Sequence, residues 1–128
     1  MTKLYLISPS SLNINEFAIS LEEVLSTGLA TCFQLRLKNI KDQEIINISK
    51  VLKPICNKNN VSFILNDRLD LASIVGADGV HLGEGDGSIL DARKVLGPKA
   101  IIGVSCYNSK HLAMEAAEKG ADYVAFGA

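Results

Sequence analysis

With 128 residues, 48 % of them apolar and 21 % charged, the chain has enough material for one compact domain, too little for two of ordinary size, and a composition that argues against disorder. Thirteen basic residues nearly cancel fourteen acidic ones. No lysine/arginine block stands out, so nothing in the charge pattern points to nucleic acid.

Short apolar runs alternate with longer stretches of helical spacing. The first strand is read at 4–7, an apolar run too short for a signal h-region, running into Ser8-Pro9-Ser10. Phe17, Ile19, Leu21, Val24 and Leu25 mark a helix over 15–27 that ends at Gly28. A second strand is expected at 31–35. A long amphipathic helix follows over 42–58, with Pro54 late in it as a residue that shortens or kinks helices. The third strand is read at 61–65 and a short helix at 69–75. The fourth strand is read at 79–82, and Ser88 is the expected cap of a helix through Leu96, stopped by Gly97-Pro98. A fifth strand at 100–104, a helix capped by Asn108 or Ser109 and running through Lys119, and a sixth strand at 123–126 complete the chain. No run approaches the roughly 18–20 apolar residues of a membrane span, so a soluble, cytoplasmic protein is expected. Cys32, Cys56 and Cys106 fit that compartment: their wide spacing, without a CxxC pair, supports neither a zinc site nor a disulfide framework.

Strands of four to six mostly apolar residues separated by helices suit a parallel sheet covered on both faces. The words Gly76-Ala77-Asp78-Gly79-Val80 and Gly120-Ala121-Asp122-Tyr123-Val124 repeat one helix-to-strand turn. An open doubly wound sheet and an unfinished barrel both accommodate this pattern. A Rossmann-type sheet loses ground because no GxGxxG follows the first strand.

In either architecture ligands sit beyond the carboxyl ends of the strands, and polar residues gather there. After strand two, alternation sends Gln34, Arg36 and Lys38 to one side. Two cations at an apolar mouth call for an anion such as phosphate, although basic residues at strand ends also lie on plain surface. After strand three come Asn66, Asp67, Arg68 and Asp70. Asn66 or Asp67 could cap the next helix, Arg68 could pair with an acidic neighbour, or Asp67 could offer a carboxylate to Mg2+. After strand four, Gly83-Glu84-Gly85-Asp86-Gly87 combines backbone access with a second carboxylate, Asp86, or forms a flexible surface turn. His81 is read as an oriented, hydrogen-bonded residue, since no second histidine stands at ligand spacing. Ser105, after strand five, lacks a GxSxG elbow and is read as a donor to phosphate, with Cys106 as a packed thiol.

In order and spacing, Leu4-Tyr5-Leu6-Ile7, Gln34-Leu35-Arg36-Leu37-Lys38, Asn66-Asp67-Arg68-Leu69-Asp70-Leu71-Ala72, Gly76-Ala77-Asp78-Gly79-Val80-His81-Leu82-Gly83, Ile102-Gly103-Val104-Ser105 and Gly120-Ala121-Asp122-Tyr123-Val124 resemble the thiamine phosphate synthase (thiamine-phosphate pyrophosphorylase) family over essentially the whole chain. The resemblance implies an α/β fold, a (β/α)8 TIM barrel incomplete here, with about six strands and without the last two β/α units, as a single domain 1–128. It implies a transferase of thiamine biosynthesis that joins 4-amino-2-methyl-5-hydroxymethylpyrimidine diphosphate to thiazole phosphate, releasing pyrophosphate. Gln34, Arg36, Lys38, Asn66 and Ser105 are then the expected substrate-binding residues, and Asp67 and Asp86 the expected ligands of Mg2+.

The sequence departs from the family in two places. The usual Gly-Gln after strand four reads Gly83-Glu84, which makes Asp86 the less secure ligand. The family's catalytic lysine lies beyond the chain end, so no catalytic residue is assigned. A (β/α)8 barrel takes about 200–250 residues, and the expectation is that roughly the last quarter is missing. The competing expectation is an inactive remnant of the family that binds or self-associates through its open strand edges. A thiazole tautomerase is disfavoured because Ser105-Cys106-Tyr107 lacks a histidine. The expected partners are the two small-molecule substrates, without nucleic acid or membrane, and a homo-oligomer is left open.

Overall fold

The computed structural model describes residues 2–127; Met1 and Ala128, the ends of the expected domain, lie outside them. The elements alternate as β1 (Leu4–Ile7), α1 (Ile14–Leu25), β2 (Ala30–Leu35), α2 (Asp42–Lys58), β3 (Ser62–Asn66), α3 (Leu69–Val75), β4 (Gly79–Leu82), α4 (Ile89–Leu96), β5 (Ile101–Tyr107), α5 (Lys110–Glu118) and β6 (Tyr123–Phe126). The hydrogen-bonded strand order is β1-β2-β3-β4-β5-β6, and the pairs β1/β2, β4/β5 and β5/β6 are parallel. A doubly wound sheet reverses its strand order at a switch point, whereas a barrel adds each strand beside the last. The sequential order therefore identifies an incomplete (β/α)8 barrel.

Two compact units divide the chain, Met1–Ile64 and Leu65–Ala128. In the first, Asn13 caps α1 by accepting the Glu16 N–H at 3.1 Å. Helix α2 buries Ile45, Ile48, Ser49, Leu52 and Cys56, a spacing of three and four that turns one face inward. Ser49 is tolerated inside because its Oγ donates to Ile45 O at 2.8 Å. Pro54 does not shorten the helix, which runs on to Lys58. Phe33 links the α1 ring of Phe17 and the β3 ring of Phe63, at centroid distances of 5.9 and 6.2 Å. At the far end of α2, Lys58 Nζ and Asn59 Nδ2 donate to the two oxygens of Glu22, at 2.7 and 3.1 Å. The Lys58 hydrogen bond leads the causes that lower the Glu22 pKa.

The second unit repeats one helix-to-strand turn. Ala77 N–H donates to Ala72 O at 2.9 Å and Ala121 N–H to Ala116 O at 3.0 Å, so the two Gly-Ala-Asp copies close their helices in the same way. A third copy stands in the first unit, where Val61 N–H donates to Cys56 O at 2.9 Å and Asn60, at φ 57°, takes the left-handed place of the glycine. Ser88 and Ser109 cap α4 and α5, accepting the N–H groups of Asp91 and Leu112 at 3.0 and 3.1 Å. The buried residues of this unit include Leu71, Ala72, Val80, Leu82, Ile89, Ala92, Ile102, Cys106 and Ala116. Strand β5 is longer than expected and absorbs Ser105, Cys106 and Tyr107. Its pairing with β6 is irregular between Ser105 and Tyr107, and Cys106 at that place is buried. Among the described residues no helix is long and apolar enough to cross a membrane.

Candidate active site at the strand ends

His81, on β4, is the hub of the second unit. In the parallel register His81 stands beside Gly103, Gly103 beside Tyr123, and Ser105 beside Ala125. Register partners on neighbouring strands face the same side of the sheet, so His81, Ser105 and Tyr123 share a face. The imidazole Nε2 lies 2.7 Å from Ser105 Oγ and Nδ1 lies 2.8 Å from the Tyr123 hydroxyl. The two rings stack at 5.6 Å between centroids and 29° between planes. His81 is thus the oriented, hydrogen-bonded residue that the sequence suggests. Tyr123 escaped the sequence reading; its signal is Gly103, whose missing side chain leaves room for the ring.

Asp67 follows the last residue of β3 and is fixed to β4 through its backbone: its N–H donates to His81 O at 2.8 Å. Its φ of 67° is left-handed, a conformation that Asp tolerates better than most residues. Neither Asn66 nor Asp67 occupies the cap of α3. That position is Arg68, whose side chain makes no cap bond. Arg68 Nε and Nη2 instead clasp the two carboxylate oxygens of Asp70 at 3.1 and 3.0 Å, and the guanidinium draws the Asp70 pKa down. Asn66 closes β3 as a buried polar residue. None of the buried side-chain N or O atoms among the described residues lacks a hydrogen-bond partner.

Beyond β4 the chain folds back tightly. Asp86 Oδ2 accepts the Gly83 N–H at 2.7 Å, and Asp86 N–H donates to Gly83 O at 3.2 Å. A Cβ at Gly83 would stand 2.8 Å from Asp86 Oδ2 and would push that carboxylate aside. The Tyr107 hydroxyl, reaching over from the end of β5, accepts the Glu84 N–H at 3.1 Å. A cavity of about 350 Å³ lies beside this turn, lined by Leu82 and Val104 of the strands, Ile89 at the start of α4 and Leu112, Glu115 and Ala116 of α5; among the expected site residues, Ser105 borders it.

In the first unit Gln34 is buried and its Nε2 donates to the Tyr5 hydroxyl at 2.9 Å. Strand β2 ends at Leu35, yet the next alternate amides keep the β1 side: Arg36 N–H donates to Ser8 Oγ and Lys38 N–H to Ser10 O, both at 2.9 Å. Both side chains are exposed. The expected cost of desolvating two cations at an apolar mouth therefore does not arise, because the strand stops before it could carry them inward.

Hard oxygen donors at neighbouring strand ends suit a hard cation. Among the described residues no three His, Cys, Asp or Glu side chains gather as a metal cluster. Asp67 and Asp86 are the carboxylates that the turns after β3 and β4 offer to such an ion, and Mg2+ is commonly held by one or two carboxylates together with phosphate oxygens and water. The hydrogen bond from Gly83 holds the Asp86 carboxylate in one orientation. Cys106 is buried, and burial pushes its thiol pKa up, so it packs as a protonated thiol.

Sequential parallel β/α units, with His81 and Ser105 on β4 and β5 and Asp67 just past β3, define a protein of the (β/α)-barrel class. The family model described as thiamine monophosphate synthase matches residues 4–128. The chain belongs to that family. It is 49 % identical over 126 residues to a thiamine-phosphate synthase of Rhodospirillum centenum, covering 98 % of this chain and 61 % of the relative. To the thiamine-phosphate synthase of Erythrobacter litoralis it is 50 % identical over 129 residues, covering 99 % and 60 %. The solved thiamine phosphate pyrophosphorylase of Pyrococcus furiosus superposes with a TM-score of 0.81 at 37 % identity, covering 98 % of this chain and 60 % of that one. The chain thus spans about 60 % of the length of these relatives, less than the three quarters expected from the sequence.

Proposed function

We propose that the protein is a Mg2+-dependent transferase of the cytoplasm that joins a hydroxymethylpyrimidine diphosphate to a thiazole phosphate, giving thiamine phosphate and pyrophosphate, and that residues 1–128 act within it as one domain. The bond between the pyrimidine methylene carbon and the diphosphate oxygen breaks with its electron pair on the diphosphate. The lone pair of the thiazole nitrogen closes the new C–N bond. No protein nucleophile is required, in keeping with a Ser105 that lacks an elbow and a Cys106 thiol that burial keeps protonated.

The observation that carries this reading is the hydrogen-bonded run from Asp67 through His81 to Ser105. It links a carboxylate residue, an imidazole and a hydroxyl from three successive strands. With the proton on Nε2, His81 donates to Ser105 Oγ and accepts from Tyr123 at Nδ1, which leaves the Ser105 proton for a phosphate oxygen. Gln34 and Asn66 are assigned to the pyrimidine, Arg36 and Lys38 to its diphosphate, and Asp67 and Asp86 to Mg2+. When bound, the metal would neutralise charge on the departing pyrophosphate. The exposure of Arg36 and Lys38 suits this role, since exposed cations can meet an anion that arrives from solvent.

The test supplies both substrates and Mg2+ to the purified protein and measures thiamine phosphate. Arg36→Ala and Asp67→Asn should each lower kcat/KM by about 10²–10³, the usual effect of removing one group that stabilises developing charge. A protein that forms no product at any Mg2+ concentration overturns the reading.

A further inference from the structure

Two of the contacts that hold the loop carrying Asp86 bear on its shape. One is its own closure, with Asp86 Oδ2 on the Gly83 N–H and Asp86 N–H on Gly83 O. The other is the Tyr107 hydroxyl on the Glu84 N–H. Between and after these points stand Gly85 at φ 83° and Gly87 at φ 108°, residues whose backbone has many alternatives once a tether is lost. Tyr107 is itself firmly set. It ends β5 in a left-handed conformation, φ 52°, which is uncommon for an aromatic residue, and its carbonyl accepts the Gly127 N–H at 3.0 Å. An unusual backbone at this position aims the ring across to the neighbouring strand end.

We infer that Tyr107 is a positioning residue for the divalent cation: its hydroxyl fixes the Glu84 backbone and so holds Asp86 in the conformation that binds metal. The inference rests on the proposed role of Asp86 as a ligand. A tethered carboxylate binds a cation without first ordering the glycine-rich loop, whereas an untethered one must order it on binding. The departure of this sequence to Glu84 fits the arrangement, because the contact uses the main-chain N–H and does not depend on the side chain at that position.

The experiment titrates Mn2+ into the full protein, follows free Mn2+ by electron paramagnetic resonance, and measures amide hydrogen exchange at Glu84. Tyr107→Phe keeps the ring and the backbone and removes only the acceptor. It should speed exchange at Glu84 and weaken Mn2+ binding about fivefold, the worth of one neutral hydrogen bond. Its thermal midpoint in metal-free buffer should stay close to that of the parent, which separates positioning from a general loss of stability. Asp86→Asn is the comparison and should weaken Mn2+ binding more than Tyr107→Phe does. If Asp86→Asn weakens binding and Tyr107→Phe leaves it unchanged, the role of Tyr107 is overturned and the ligand reading stands. If Asp86→Asn leaves Mn2+ affinity unchanged, the ligand reading itself falls and takes the inference with it.

Discussion

The Tyr123 ring lies against the backbone of Gly103, so closely that a methyl group there would stand 1.9 Å from the ring Cζ. Gly103 is therefore the seat of the tyrosine that orients His81. Gly103→Ala should displace the ring, break its bond to Nδ1 and destabilise the fold by about 1–3 kcal/mol, the range for overpacking. Tyr123→Ala in the same background should recover part of that loss, because it removes the clash. Chemical denaturation of the single and double variants checks both statements, and additive losses would show that the two residues do not compete for space.

His81 serves two hydroxyls at once. Ser105→Ala and Tyr123→Phe each remove one partner and leave one ring nitrogen of a buried imidazole with a lost bond. Each should cost about 1–2 kcal/mol of stability. Because both act on one imidazole, their effects should not add, and a double-mutant cycle should return a coupling of about 0.5 kcal/mol or more. Nitrogen-15 shifts of the ring in the parent and in Tyr123→Phe would report the tautomer directly.

Strand and helix order was legible because each element announces its own periodicity and stop signals. Ser88 and Ser109 cap their helices as the sequence suggests, and Gly76 ends α3 in a left-handed turn. The third copy of the helix-to-strand turn was hidden because Asn60 stands where the other two have glycine. The sequence also stopped β5 at Val104, where a polar residue follows the apolar run. Ser105 is accommodated inside the strand by His81, a residue 24 positions away, and no local pattern reports such a partner. The sequence left Arg36 and Lys38 open between an inward mouth and plain surface, and the structure takes the surface alternative. Alternation predicts a side only while the strand lasts, and β2 ends at Leu35.

Arg93 ties the end of α4 to the turns that precede β5 and β6. Its Nη2 donates to Gly120 O at 2.9 Å and to Asp122 Oδ2 at 2.7 Å, and its Nη1 to Ala100 O. The same Asp122 oxygen accepts the Ile102 N–H at 2.8 Å. The Arg93 side chain is only 25 % exposed, so its loss strips several main-chain acceptors of a charged donor. Arg93→Ala should destabilise the protein by about 2–3 kcal/mol. Arg93→Lys should restore less than half of that, since one ammonium cannot reproduce the fork. Urea unfolding of the two variants decides between this clamp and an ordinary surface ion pair.

Among the cysteines, Cys106 and Cys56 are buried and Cys32 is partly open. Burial raises the Cys106 pKa, so both access and thiolate fraction work against its reaction. A maleimide at neutral pH should label Cys32 first, and Cys106 only when the fold opens. Peptide mapping at increasing urea gives the order, and early labelling of Cys106 would contradict its packing.

The clasp of Arg68 on Asp70 makes a prediction about acid. The guanidinium favours the charged carboxylate, so the folded-state pKa of Asp70 lies below its value in the unfolded chain. For a depressed carboxylate, the stabilisation is present above the unfolded pKa, about 3.9 for Asp. It is lost as the pH falls through the lower folded value, where the native carboxylate takes up its proton. The partners are 39 % and 63 % exposed, and solvent screening limits the pair to roughly 0.5 kcal/mol. Arg68→Ala should therefore lower unfolding stability slightly near neutral pH and not at all once both states are protonated. A carbon-13 titration of the Asp70 carboxyl should show its midpoint rising toward the ordinary Asp range in Arg68→Ala. A midpoint that stays in place would mean that the neighbouring backbone N–H groups, and not the guanidinium, hold the charge.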